Sequence, residues 1–434
     1  MVYILLFLLG VIVATQLNRG IYRLAWFARP IGPWSAPHKT ALARHWSDRI
    51  PVIGWIGLRR ESSIHGRGFW IRPLLLELAI GACFAALYWH EVGRIAVDPP
   101  LMTAASLHAR YLRHIILFSL MLVATFIDFD EQTIPDAITV PGTIIGLILA
   151  AALPMGREIV WVWRPPQAEL LSVVSGAMRE RPWSDFLSSE ASLLVGLACF
   201  VGWWIAVVPW LWTTRRGLGK AVQYFAASFR RRLAPGLVLT AIVGSLTIVM
   251  IWKFCNPGLI GPSHRWESLF SALVGMAAGG GLIWAVRIVG SYALGQEAMG
   301  FGDVTLMAMI GAFMGWQATL IIFFLAPFAA LLISVSQWLL TRRRDIAFGP
   351  YLCVGACYLI VAWDDMWGRA GPIFELGLFV PGVLAVGVAL MGIMLIGMRW
   401  LRETFLGVHD EIVESNAESP APQPPAPEPS DDSN

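Results

Sequence analysis

The sequence predicts an all-α protein threaded many times through a lipid bilayer. Three observations predict it. Hydrophobic residues make up 57% of the 434 and charged residues only 14%, against about a quarter charged in a soluble chain. The apolar residues gather into runs of about 20, the length that crosses a hydrocarbon core of about 30 Å. Many of the 21 Trp lie toward the ends of those runs, where an amphipathic ring prefers the interface.

Taken in order, the runs give about eleven membrane helices, at 2–16, 74–92, 111–128, 137–154, 190–212, 235–253, 268–289, 303–314, 317–339, 349–364 and 376–398. The first run, Val2 to Thr15, is followed by basic residues without a small-residue cleavage site, so no cleavable signal is expected. Between 16 and 72 stand Arg19, Arg23, Arg29, Lys39, Arg44, Arg49, Arg59, Arg60, Arg67 and Arg72 against Asp48 and Glu61 alone. Such an excess marks the cytoplasmic side, which sets the N-terminus outside. Alternation then carries the basic clusters at 215–232, 342–344 and 399–402 inside too, so all four agree with one topology in the inner (plasma) membrane. The net charge of +3 carries no comparable information as a total.

The chain divides accordingly. Residues 1–73 are the first helix and a basic cytoplasmic loop, 74–154 three further helices, and 155–267 outer loops with two helices. A second helical region spans 268–364, and one more helix lies in 365–410. Residues 411–434, rich in Pro, Ser, Glu and Asp, cannot bury enough apolar area to fold and read as a disordered cytoplasmic tail. Cys83, Cys199, Cys255, Cys353 and Cys357 lie in or at the edge of apolar runs without a CxxC pair, indicating neither a disulfide framework nor a thiolate metal site.

Carboxylates near membrane helices are expensive, so their positions call for a reason. Asp128 closes the third helix within Phe126-Ile-Asp-Phe-Asp-Glu-Gln-Thr-Ile-Pro-Asp136. An anion at a helix C-terminus opposes the macrodipole, so local structure gives Asp128 no benefit. Asp136, after Ile134-Pro135, is placed to cap the fourth helix, while Asp130 and Glu131 read as a solvated turn. In Met299-Gly-Phe-Gly-Asp-Val-Thr-Leu306, Gly300 and Gly302 free the backbone and Asp303 opens an apolar helix on the same side as Asp128. Taken alone, Asp303 too reads as a helix cap. Together the two acids suggest more. If their helices pack, the carboxylates cannot both ionise cheaply, so one holds a proton. The charged partner can activate water while the protonated one polarises a carbonyl, and the glycines let an extended substrate backbone approach. No HExxH, GxSxG or Walker A sequence is present. Gly279-Gly280-Gly281 lies inside an apolar run and reads as close helix packing rather than phosphate binding. No cofactor, metal or nucleic acid is called for.

At these residues the chain resembles the bacterial type IV prepilin peptidases, a family of GxGD aspartyl proteases. Ile127-Asp128 with Ile134-Pro135-Asp136 is similar to the family's first aspartate motif, 297–316 to its second, and Phe348-Gly349-Pro350 to a later segment. Leu17-Asn18, Ile21-Tyr22-Arg23, Ile50-Pro51 and Glu77-Leu78 fall in the family's order. The resemblance implies that Asp128 and Asp303 are a catalytic pair. It also implies cleavage of a short basic leader from prepilin or pseudopilin precursors at the cytoplasmic face, with Asp130, Glu131 and Asp136 as candidate contacts for that leader. Two departures stand out. Where family members often carry paired CxxC motifs resembling a zinc site, together with a second activity that methylates the new N-terminus, this chain has Ser35-Ala-Pro-His38 and Ser62-Ser-Ile-His65. Two His fall short of a four-ligand site, so a solvated loop is expected. The stretch 155–267 is also longer than the family's. Two readings compete: a signal-peptide-peptidase-like protease, and a non-enzymatic assembly or transport protein whose acids only cap helices.

Overall fold

A computed structural model of the chain describes residues 1–27, 29, 31–41, 43–94, 104–153, 159–162, 169–172, 186–187, 189–207, 235–255, 264–295, 297–341, 348–374 and 379–406. In chain order the helices are α1 (Val2–Leu24), α2 (Ile53–Leu58), α3 (Ser62–His65), α4 (Ile71–Tyr88), α5 (Ala104–Glu131) and α6 (Asp136–Ala152), then α7 (Glu190–Val207), α8 (Pro235–Cys255) and α9 (His264–Leu294). They continue with α10 (Phe301–Met314), α11 (Trp316–Thr341), α12 (Gly349–Val361), α13 (Trp363–Phe374) and α14 (Phe379–Leu406). Seven are long and apolar enough to cross a membrane, and α6, α8, α10 and α12 are shorter apolar helices. The protein is thus a multi-pass, helical integral membrane protein. One small exception to the all-α expectation is an antiparallel hairpin, β1 (Ile159–Val162) with β2 (Glu169–Ser172). The basic clusters at 215–232 and 342–344 and the tail at 411–434 lie outside the described residues.

Each of the eleven expected apolar runs holds a helix among its described residues, with longer ends in several places; 154, 208–212 and 376–378 lie outside the described residues. The third starts at Ala104, not 111, because Arg110, Arg113 and His114 turn inward rather than ending the helix: Arg113 donates to the Phe313 carbonyl at 2.7 Å, and His114 meets the buried Glu91 carboxylate. Charge in the sequence looked like a boundary, yet it is compensated inside the bundle. Helix α13, which no apolar run announces, is amphipathic: Trp367 and Phe374 are buried while Asp365 is exposed.

Helix α10 is the centre of the fold. Every residue from Asp303 to Phe313 is buried, as expected of a helix that is apolar all round. At 14 residues it is about 21 Å long, shorter than the about 30 Å of the hydrocarbon core. It packs on α9 through glycine. A Cβ on Gly275 would run into the Gly311 carbonyl, one on Gly311 into the Gly275 carbonyl, and one on Gly279 would come within 2.7 Å of the Met307 carbonyl. Lipid supplies no hydrophobic drive for helices to associate, so small residues that let backbones touch supply dispersion contacts instead. The close-packing expectation thus holds for Gly279, and for Gly280 against Ala308, whereas Gly281 has open space beside it. Gly10 of α1 and Gly81 of α4 make a similar close approach.

The N-terminal signature residues form one knot. Glu77, fully buried, accepts from the Val52 amide at 2.6 Å and the Trp55 indole at 2.9 Å. Asn18 bridges the same carboxylate and the Pro73 carbonyl. Val52 holds a positive φ of 65°, a conformation a β-branched residue adopts only when its surroundings impose it.

Gly275→Val or Gly311→Val is expected to remove most folded protein from detergent extracts, because neither carbonyl can move out of the way. Gly281→Ala is expected to be neutral or slightly stabilising, since Ala exceeds Gly in helix propensity by up to about 1 kcal/mol. Yield and thermal melting of the purified variants check both.

Candidate active site

Three stretches of chain meet at one end of the bundle: the α5–α6 turn, the start of α10 and the start of α12. Ile134 is their common neighbour. A Cβ on Gly302 would lie 2.8 Å from Ile134 Cβ, and one on Gly349 would lie 2.7 Å from Ile134 Cδ1 and 2.6 Å from Asp128 Oδ2. A side chain at 302 would meet the Cβ and backbone of Ile134, and one at 349 would meet the Ile134 side chain and the Asp128 carboxylate, so glycine suits both places.

Asp128 sits in the last turn of α5, which runs on to Glu131 and ends at Gln132 with a positive φ of 54°. It is 5% exposed, and its Oδ2 lies against Gly349 with no hydrogen bond of normal geometry among the described residues. Asp303 is 8% exposed. It is the third residue of α10 rather than the cap, which is Gly300, and its carboxylate turns back toward the Gly300 amide. The charge of Asp128 reaches Asp303, and so does that of Arg287. The structure therefore brings both sequence-nominated acids, each buried, within electrostatic reach of one another.

Hydroxyls fix the approach of α6 to α10. Thr139 donates to Thr305 at 2.9 Å, and the Thr305 hydroxyl lies 3.1 Å from the Gly302 carbonyl and 3.5 Å from Asp136 Oδ1. Asp136 is exposed and is the first helical residue of α6; the cap position falls to Pro135, whose side chain has nothing to donate or accept. The cap expected of Asp136 is displaced by one residue, and its carboxylate turns to Thr305 instead.

Asp130 is exposed and Glu131 partly so, as a solvated reading expects, but both lie on the last turn of α5 and have partners. Arg72 grips both oxygens of Asp130 at 2.8 and 2.9 Å, and lies over the Phe126 ring. Glu131 accepts the backbone amides of Trp26 and Phe27 at 2.7 and 3.1 Å. Both acids hold the first loop against α5.

Sequence reasoning overlooked Arg287, a cation far along α9, whose other charged residues, Arg265 and Glu267, stand in its first turn. Its guanidinium donates to Glu297 at 2.6 Å and to the Met299 carbonyl at 2.8 Å, and sits over the Phe301 ring. It thereby shapes the segment just before Gly300. The cost of a charge at membrane depth was the signal that could have found it. Thr139 and Thr305 carried no comparable signal.

A zinc ion in the first loop, which the resemblance raises, does not fit the residues present. His38 Nδ1 is bonded to Thr40, His65 faces Glu61, and no three His, Cys, Asp or Glu among the described residues are grouped to hold a metal.

Gly302→Ala is expected to destabilise the protein by about 1–3 kcal/mol through overpacking against Ile134. Gly300→Ala is expected to be nearly neutral, since its φ of −68° suits any residue and its Cβ would stand 3.8 Å from Asp303 Oδ2. Melting of the two variants in detergent separates these outcomes.

Comparison with known proteins finds similarity in two stretches of the chain. The type IV leader peptidase family matches residues 228–335, and the bacterial peptidase A24 N-terminal domain matches 8–91. Asp303 lies within the first stretch and Asp128 in neither. The prepilin leader peptidase/N-methyltransferase of Aeromonas hydrophila is 28% identical over 194 residues, covering 37% of this chain and 67% of that protein. The protein of the same name from Pectobacterium carotovorum is 34% identical over 117 residues, covering 26% and 40%. That of Myxococcus xanthus is 24% identical over 267 residues, covering 59% and 73%. Among the first relatives matched, the chain spans between 40% and 67% of their length. No solved structure matches. The chain is thus similar to the type IV leader peptidase family over 228–335 and to its bacterial N-terminal domain over 8–91.

Proposed function

We propose that the protein is an aspartic endopeptidase that removes leader peptides from type IV prepilins or pseudopilins at the cytoplasmic face of the membrane. The observation that carries this reading is the convergence of two buried carboxylates, Asp128 and Asp303, from distant helices. Similarity to proteins named prepilin leader peptidase/N-methyltransferase supports the substrate class. The chemistry follows from the pair. The ionised carboxylate takes a proton from a water held between the two acids. The protonated one donates a hydrogen bond to the scissile carbonyl oxygen as it becomes an oxyanion. Collapse of the tetrahedral intermediate expels the amine, which takes a proton from the acid that gained one. Hydrolysis on these terms needs no cofactor. Serines in place of paired cysteines in the first loop give methyl transfer no separate support.

The membrane arrangement we infer has eleven spans: the seven long helices and the shorter α6, α8, α10 and α12. The N-terminus is outside, while the site and C-terminus are inside, in keeping with the positive-inside rule. Residues 155–267 add two helices, and an even number leaves Asp303 emerging on the same side as Asp128. Domain limits follow the sequence-based division, with 74–154 and 268–364 supplying the site.

Of the three acids considered for leader contact, Asp130 is paired with Arg72 and Glu131 is occupied by backbone amides. Asp136 is exposed beside Thr305 with no cation near it among the described residues. Asp136 is therefore the one free to meet a basic leader.

Asp128→Asn and Asp303→Asn should each abolish processing of a co-expressed precursor, read by gel shift, with enzyme levels unchanged; processing that survives either substitution rejects the aspartyl mechanism. The wild-type rate should be bell-shaped in pH, falling at low pH as both carboxyls protonate and at high pH as both ionise. Asp136→Asn should raise KM several-fold with kcat retained, and its effect should vanish on a precursor whose leader lacks basic residues. An equal loss on both precursors would assign Asp136 a purely structural role.

A further inference from the structure

We infer that the first loop is closed by an ion-pair clasp, Arg44–Glu61 and Arg60–Asp48, rather than by a metal, and that these four side chains position the loop for the peptidase. The inference rests on the peptidase reading for its activity test and on geometry alone for the rest. The loop between α1 and α4 has little core of its own, with Trp55 and Leu58 as its deepest side chains. A segment this small needs a staple. Arg60 grips both oxygens of Asp48, which also accepts the His45 amide at 2.8 Å. Arg44 meets Glu61 as an ion pair at 2.9 Å without hydrogen-bond alignment, and His65 approaches its other oxygen at 3.5 Å. Both carboxylates are almost wholly buried, at 1% and 2% exposure. Gly54 and Gly57 pack directly against Asp48, the first on its backbone and the second on its carboxylate, so no larger residue fits at either place.

Two guanidinium groups on two buried carboxylates leave no room for a divalent cation, electrostatically or by ligand count. Zinc wants four tetrahedral donors, and here the carboxylate oxygens already face cations. Burial pushes the Asp48 carboxyl up, while the Arg60 and His45 hydrogen bonds more than reverse it and leave it below the ordinary carboxylate range. That balance is what a paired, charged carboxylate shows.

The clasp connects to the catalytic helix. Trp26 and Phe27, at the start of the loop, bind Glu131, and Arg72, just after it, binds Asp130. Asp128 lies on the same final turn of α5. Loosening the clasp therefore acts on Asp128 through the loop ends, and the four residues are positioning groups.

The test uses the full-length protein purified in detergent, with Arg44→Glu, Glu61→Arg and the double exchange R44E/E61R. Zinc content by elemental analysis should be well below stoichiometric, and a strong chelator should leave both melting temperature and processing rate unchanged. Each single reversal should lower the melting temperature and slow processing about tenfold or more, because it buries an unpaired charge. The double exchange should recover most of both, as a direct pair requires. Stoichiometric zinc whose removal lowers the melting temperature would overturn the inference. So would single reversals without effect, or a double exchange no better than the singles. Should a single variant fail to accumulate, Glu61→Gln supplies the measurement, and an unchanged melting temperature there also overturns it. If the wild-type protein processes no precursor, the peptidase reading fails, while metal content and melting still decide the clasp.

Discussion

Ile134 is the point on which the site turns. Its side chain and backbone touch Gly302 at the head of α10 and Gly349 at the head of α12, while Gly349 in turn lies against the Asp128 carboxylate. Three segments separated by well over a hundred residues from first to last are thus brought within contact by the absence of side chains at two positions. In lipid this matters more than in water, because apolar surface gains nothing by leaving one hydrocarbon for another. What remains is close packing, hydrogen bonding and the satisfaction of charge. The same rule explains why α10 sits so near α9, where Gly275 and Gly311 bring two backbones together.

Charge follows a second rule: several ionised side chains within or beside the bundle are paired. Arg72 meets Asp130, Arg287 meets Glu297, His114 meets Glu91, and Glu77 gathers three hydrogen-bond donors. Asp128 and Asp303 stand out because each carboxylate faces a backbone amide, Gly349 and Gly300, rather than a side-chain cation hydrogen-bonded to it. Two buried acids held without such a cation come at a cost. Function is the ordinary reason for such a cost. Asp303, facing a backbone amide at a helix start, also satisfies part of its charge structurally, which is why it looked like a cap when read alone.

Much of this was legible in the sequence, for reasons that differ from element to element. Apolar runs made a multi-pass helical protein legible because a bilayer dictates the length of its helices. The approach of Asp128 to Asp303 was legible because a carboxylate beside a membrane helix is expensive and calls for a reason. Helix α13 was not, since its amphipathic pattern carries no long apolar run. The cap position at Asp136 was misplaced by one residue because Pro135 takes that position, and only the fold reveals that Thr305 is the partner of Asp136. The pairing of Asp130 and Glu131 was not legible because their partners, Arg72 and the amides of residues 26 and 27, are distant in sequence. Local reading sees a polar turn; tertiary structure makes it an anchor.

Cross-linking the two acids' positions tests the central claim most directly. In a background lacking the five native cysteines, Asp128→Cys/Asp303→Cys should be joined within one chain by a bifunctional thiol reagent short enough to link only side chains in near contact. Cysteines at 128 and 281, the latter a helix position facing open space, serve as the separated control. Efficient linkage at 128–303 with none at 128–281 is the expected result. A folded double-cysteine protein that never links 128 to 303, in membranes or in detergent, would contradict the account.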